Sequence, residues 1–82
     1  MKQVVFVLGG SSGIGLETIK LFLDNDYIVY NGSRTECPLT GVTNFTVDIS
    51  NPQTLTAAVE KILSEHGKID IGIYCAGVSI AA

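Results

Sequence analysis

The sequence has no tryptophan and one histidine, and its two cysteines, Cys37 and Cys75, form no C-x-x-C pair. Histidine and cysteine at ligand spacing are what a zinc-type site requires, so no metal is expected. Basic residues are also scarce, since five Lys and Arg stand against eight Asp and Glu and give a formal net charge of −3. Without a basic stripe there is no footprint for nucleic acid and no polybasic anchor for a membrane surface. No apolar run approaches the roughly 20 residues of a membrane span. The opening MKQVVFVLGG passes from one lysine through a short apolar stretch into a turn rather than into an A-x-A cleavage site, so it reads as a strand and not as a signal peptide. With two unpaired cysteines, a reduced, cytoplasmic location is the expectation. Length is limited as well: 82 residues fall short of the roughly 100–200 of a typical domain, although an apolar content of 46% is too high for a disordered chain.

What is present is concentrated near the start. Val4 to Leu8 is a β-branched, apolar run suited to a buried strand; Gly9-Gly10-Ser11-Ser12-Gly13-Ile14-Gly15 breaks it with glycines; Leu16, Ile19 and Leu23 then recur at helical spacing. A strand feeding a helix through a glycine turn leaves the first amides of the helix without carbonyl partners, at the positive end of the helix dipole. An anionic oxygen is stabilised there without a cationic side chain, provided that no Cβ holds it off. Gly9, Ser11, Ser12, Gly13, Ile14 and Gly15 are therefore candidate ligand-binding positions.

The rest of the chain alternates in type. Ser12 is the expected N-cap of a first helix reaching to about Asn25, and a second strand follows at Tyr27–Asn31, stopping at Gly32-Ser33-Arg34. Thr35 to Gly41, interrupted by Pro38, is too short and broken for a helix. A third strand is expected at Val42–Val47, then a second helix capped by Ser50 or Asn51, with Pro52 in its first turn and Gln53 placed to close a capping box with Ser50. Leu55, Val59, Ile62 and Leu63 form its apolar stripe, His66 lies in its last turn in a structural role, and Gly67 stops it. A fourth strand at Ile69–Cys75 leads into the turn Ala76-Gly77. Each connection between strands is a crossover, so the strands are expected to be parallel.

The spacing Gly9-x-x-x-Gly13-x-Gly15 resembles the first turn of the short-chain dehydrogenase/reductase family, T-G-x-x-x-G-[IL]-G, with Leu8 in the place of the threonine whose hydroxyl braces that turn. The resemblance runs the length of the chain. Where family members using NAD carry an acidic residue at the end of the second strand, this sequence has Ser33 followed by Arg34, which implies NADP(H) rather than NAD, because a guanidinium binds a 2′-phosphate and no carboxylate repels it. Asp48-Ile49 resembles the family's Asp-[VIL] pair, whose carboxylate accepts from the adenine amino group, and Tyr74-Cys75-Ala76-Gly77 stands where the family has N-N-A-G, matching at Ala76 and Gly77 only. The expected fold is α/β: a partial Rossmann fold, a dinucleotide-binding half-domain over residues 1–82 with a four-stranded parallel sheet in order 3-2-1-4 and one long helix on each face.

The family's hydride chemistry uses a helical Tyr-x-x-x-Lys pair and an upstream serine. Tyr27, Tyr30 and Tyr74 are followed four residues later by Asn31, Arg34 and Val78, never by lysine. No catalytic residue is expected, and the implied function is that of a cofactor-binding N-terminal piece of an NADP(H)-dependent oxidoreductase. A fourth strand at the sheet's edge with an apolar run is also expected to draw a second copy of the chain, giving a homodimer or higher oligomer. The alternative is a self-associating module with no cofactor.

Overall fold

The computed structural model describes residues 2–75 of the chain. Its elements run β1 (Val4–Leu8), α1 (Gly13–Asp24), β2 (Ile28–Ser33), β3 (Val42–Thr46), α2 (Pro52–His66) and β4 (Ile71–Tyr74). They form one parallel sheet in the order β3-β2-β1-β4, with Val5 opposite Val29 on one side and Ile71 on the other. The expected topology is the one observed.

β1 is a continuous apolar run because both of its faces are covered. Side chains alternate across a strand, and here Val4 and Phe6 enter one cluster with Tyr30, Val47, Ala58 and Ile62, whereas Val5 and Val7 enter another with Ile19, Val29 and Cys37. The first cluster lies under α2 and the second under α1, so each helix covers one face. Residues 34–41 hold no helix. That loop contributes Cys37 and Leu39 to the α1 side, filling space beside the helix with two side chains instead of a second helix.

Four details depart from the sequence reading. β2 continues through Gly32 and Ser33, because Leu8 pairs with Gly32 from one side and Phe45 and Thr46 pair with Gly32 and Ser33 from the other. β4 begins only at Ile71. Asp70, which precedes it, donates its backbone N–H to Val4 O at 2.9 Å and accepts Val4 N–H on its carboxylate at 2.7 Å. The Asn51 side chain caps α2, accepting from Gln53 N at 3.3 Å, whereas Ser50 donates to Asp48 Oδ1 at 2.7 Å and closes no box with Gln53. Finally, Leu63 is 43% exposed, and Ala58 and Ile62 take the buried positions of α2. Gly67 ends that helix as expected, in a left-handed conformation at φ 73° with its N–H on Leu63 O.

Candidate functional site

The ends of β1, β2 and β3 open into a cleft of about 900 Å³ at the carboxyl edge of the sheet. This is where the strand order reverses and where open parallel sheets bind ligands. Gly9, the segment Ser11–Gly15, the pair Ser33-Arg34 and the pair Asp48-Ile49 all line it, so every expected site residue among those described comes to one place. Ala76 and Gly77 lie outside the described residues.

The floor is the glycine turn. Gly9 donates its N–H to Gly32 O at 2.8 Å, which fastens the end of β1 to β2. The start of α1 lies so close to this turn that a Cβ on Gly15 would stand 2.0 Å from Gly9 O. Gly13 differs, since its φ of +59° is one that side chains avoid and a Cβ there would meet nothing within 4 Å. Ser12 stands at the N-cap with extended backbone but makes no side-chain capping bond. The first amide of α1 to find a helical carbonyl is that of Leu16, on Ser12 O at 3.3 Å. Those of Gly13, Ile14 and Gly15 therefore have no helical partner and stand at the positive end of a 12-residue helix.

At the other end, Arg34 is exposed and forms no ion pair among the described residues. Facing it is Asp48, whose Oδ1 accepts from the Ser50 hydroxyl at 2.7 Å and from Ser50 N–H at 2.9 Å. Those two bonds, aided by the Arg34 charge and opposed by partial desolvation, hold the Asp48 carboxyl below its ordinary value. Asp48 Oδ2 has no protein donor among the described residues and remains an available acceptor. Ile14 and Ile49, 65% and 54% exposed, present apolar surface to the same cleft. Amides without helical partners, an exposed guanidinium, an ionised carboxylate and apolar walls together suit a ligand with phosphates and a flat heterocycle.

Cys75, at the end of the expected fourth strand, is half-buried, packs against the α1-side cluster and also lines the cleft. The sequence reading missed one residue of this region. Asn31, read only as the end of a strand, is fully buried and hydrogen-bonded to the glycine turn. A carboxamide inside an otherwise apolar strand was the available signal, because asparagine is depleted there.

Comparison with known proteins agrees with this geometry. The chain is 37% identical over 79 residues to 3-ketodihydrosphingosine reductase of Bacteroides thetaiotaomicron, an alignment covering 95% of this chain and 29% of that protein. In structure it resembles the ligand-free aldohexose dehydrogenase of Thermoplasma acidophilum, with a TM-score of 0.87 and 28% identity over 94% of this chain and 30% of the other. It also resembles ElxO solved with NADP bound, with a TM-score of 0.83 and 26% identity over 95% of this chain and 36% of ElxO. The chain thus spans about a third of the length of the proteins it matches. With the family model for short chain dehydrogenase matching residues 3–82, and with the strand order and glycine turn described above, the chain belongs to the short-chain dehydrogenase family.

Proposed function

We propose that this chain is the cofactor-binding N-terminal part of an NADP(H)-dependent oxidoreductase that transfers hydride between the cofactor and a carbonyl or alcohol. The observation that carries this reading is the pairing, within one cleft, of amides at the start of α1 that lack a helical partner with a guanidinium at the end of β2 that has no ion-pair partner among the described residues. The amides of Gly13, Ile14 and Gly15 take the diphosphate, as a helix N-terminus takes any anion. Arg34 takes the 2′-phosphate by charge-assisted hydrogen bonds, and its nearest acidic neighbour in the cleft, Asp48, is held by Ser50. Asp48 accepts the adenine amino group through Oδ2, and Ile14 and Ile49 exclude water around the base. NADPH supplies a transferable hydride when bound. The 82 residues contain no Tyr-x-x-x-Lys, so proton transfer to the substrate falls to groups outside this sequence, and the chain alone binds without turning over. The family's use of dinucleotides and the NADP bound to ElxO support the reading.

Calorimetric titration with NADPH and NADH tests it. The chain is expected to bind NADPH more tightly, and Arg34→Ala to remove that preference, a loss of about tenfold for an exposed charge-assisted contact of roughly 1.5 kcal/mol. Binding of neither nucleotide overturns the proposal. A second reading, self-association as a homodimer or higher oligomer, is favoured by the outer edge of β4, where Tyr74 is 58% exposed.

A further inference from the structure

Asn31 is the buried polar residue of the described core, 0% exposed at the centre of β2. A carboxamide in such a place must find partners for both of its ends, and each of its partners belongs to a different part of the molecule. Its Oδ1 accepts from Gly10 N at 2.8 Å, inside the glycine turn. A backbone N–H can only donate, so this contact fixes the orientation of the amide and turns the NH2 group the other way. Nδ2 donates to Ser33 Oγ at 2.9 Å and to Asn44 Oδ1 at 2.9 Å. Ser33 passes the chain on by donating its own hydroxyl to Thr35 O. Asn44 accepts Cys37 N at 2.8 Å and donates to Cys37 O at 3.3 Å.

Arg34 therefore lies between two residues, Ser33 and Thr35, that are held by a network whose other end is the phosphate turn. The Ser33 hydroxyl is fully engaged as a donor within the protein and has no proton to give to a phosphate. We infer that Asn31 is a positioning residue that sets Arg34 at a fixed separation from the α1 amides, so that preference for a 2′-phosphate depends on an amide touching no ligand. The inference rests on the dinucleotide reading of the cleft given above. It also accounts for Leu8: the brace that a hydroxyl at that position would give the turn comes instead from across the sheet, through Asn31 and Gly10.

The informative variant is Asn44→Ala, because Asn44 lies on the outermost strand and outside the cleft. NADPH and NADH differ only in the 2′-phosphate, so their ratio of dissociation constants reads the position of Arg34, whereas a merely structural loss would weaken both alike. Asn44→Ala is expected to weaken NADPH about tenfold and to leave NADH within about twofold. Equal effects on the two nucleotides, or none, overturn the inference while leaving the cofactor site standing. If the unchanged chain binds neither nucleotide, the cofactor reading fails, and amide exchange of the free protein decides the network: faster exchange at Gly10 in Asn44→Ala, with Val29 unchanged, supports it, and an unchanged Gly10 overturns it.

Discussion

At the scale of single residues, two glycines of the same turn are needed for opposite reasons. A methyl group on Gly15 would lie 2.0 Å from Gly9 O, 2.8 Å from Gly9 C and 2.9 Å from Gly10 Cα, all of them backbone atoms that move only with the turn. On Gly13 it would meet open space, and the cost there is the positive φ alone. Alanine is the better helix former by about 1 kcal/mol, but at position 15 overpacking of roughly 1–3 kcal/mol outweighs that gain. Gly15→Ala is therefore expected to lower the melting temperature by several degrees, about 4–8 °C per kcal/mol for a domain of this size, and to abolish NADPH binding. Gly13→Ala, with a strain of about 1–2 kcal/mol, is expected to melt lower as well but to keep the turn. Thermal melts and nucleotide titration on both variants check this. The positions of these glycines were legible in the sequence because a turn between strand and helix announces itself locally. Asn31 stood out as a carboxamide in an apolar strand, but its role was not legible, because it depends on Gly10 and Asn44, which only the fold brings to it.

At the scale of elements, the two helices were legible from their periodicity, and their details were not. Ile62 and Leu63 are adjacent and equally apolar, and only contact with the sheet decides that Ile62 is buried and Leu63 is not. Likewise β2 runs through Gly32 and Ser33, poor strand formers, because two neighbouring strands supply the ladder. The end of α2 is fastened to that strand by Tyr30, which donates its hydroxyl to Glu65 Oε1 at 2.8 Å, lies 2.7 Å from His66 Nε2 and stacks on Phe45. Burial first, then the Glu65 carboxylate, push the Tyr30 hydroxyl from 10.0 up to about 12. The sign follows from linkage: below pH 10.0 both folded and unfolded chains keep the proton and the full contribution is present, whereas between pH 10.0 and about 12 the unfolded chain releases it first and stability falls. Tyr30→Phe is expected to cost about 1 kcal/mol at neutral pH for the lost hydrogen bond and to remove this component of the alkaline decline. Denaturant midpoints measured for both proteins across that range check it. On the acid side, the Asp70 carboxyl is held below 3.8 chiefly by Val4 N–H and then by Lys68. Its contribution at the β1–β4 junction is present above pH 3.8 and is lost as the pH falls below that value.

At the scale of the whole molecule, the sheet has two unlike edges. β3 exposes Thr43 and Thr46 and forms a polar margin. β4 carries Ile71, Ile73 and Tyr74, of which Tyr74 is 58% exposed, and among the described residues it pairs along one side, with β1. A parallel sheet is stable when both faces and both edges are dealt with, and an apolar edge strand is a template for pairing with more chain. Because the chain spans 29–30% of relatives such as the reductase and the aldohexose dehydrogenase, further residues of a longer protein are one way to cover that edge, and a second copy of these 82 residues is the other. The two differ in solution. If copies pair through β4, light scattering gives at least twice the 8.7 kDa of one chain, the melting temperature rises with protein concentration, and Gly72→Pro, which puts a ring and no N–H on the edge, returns the chain to a monomer. Gly72 suits this test because a Cβ there would meet nothing within 4 Å. A monodisperse monomer whose melting temperature ignores concentration would mean that β4 does not pair with a second copy, and that any ligand of the cleft at the carboxyl ends of the strands is held by one chain alone.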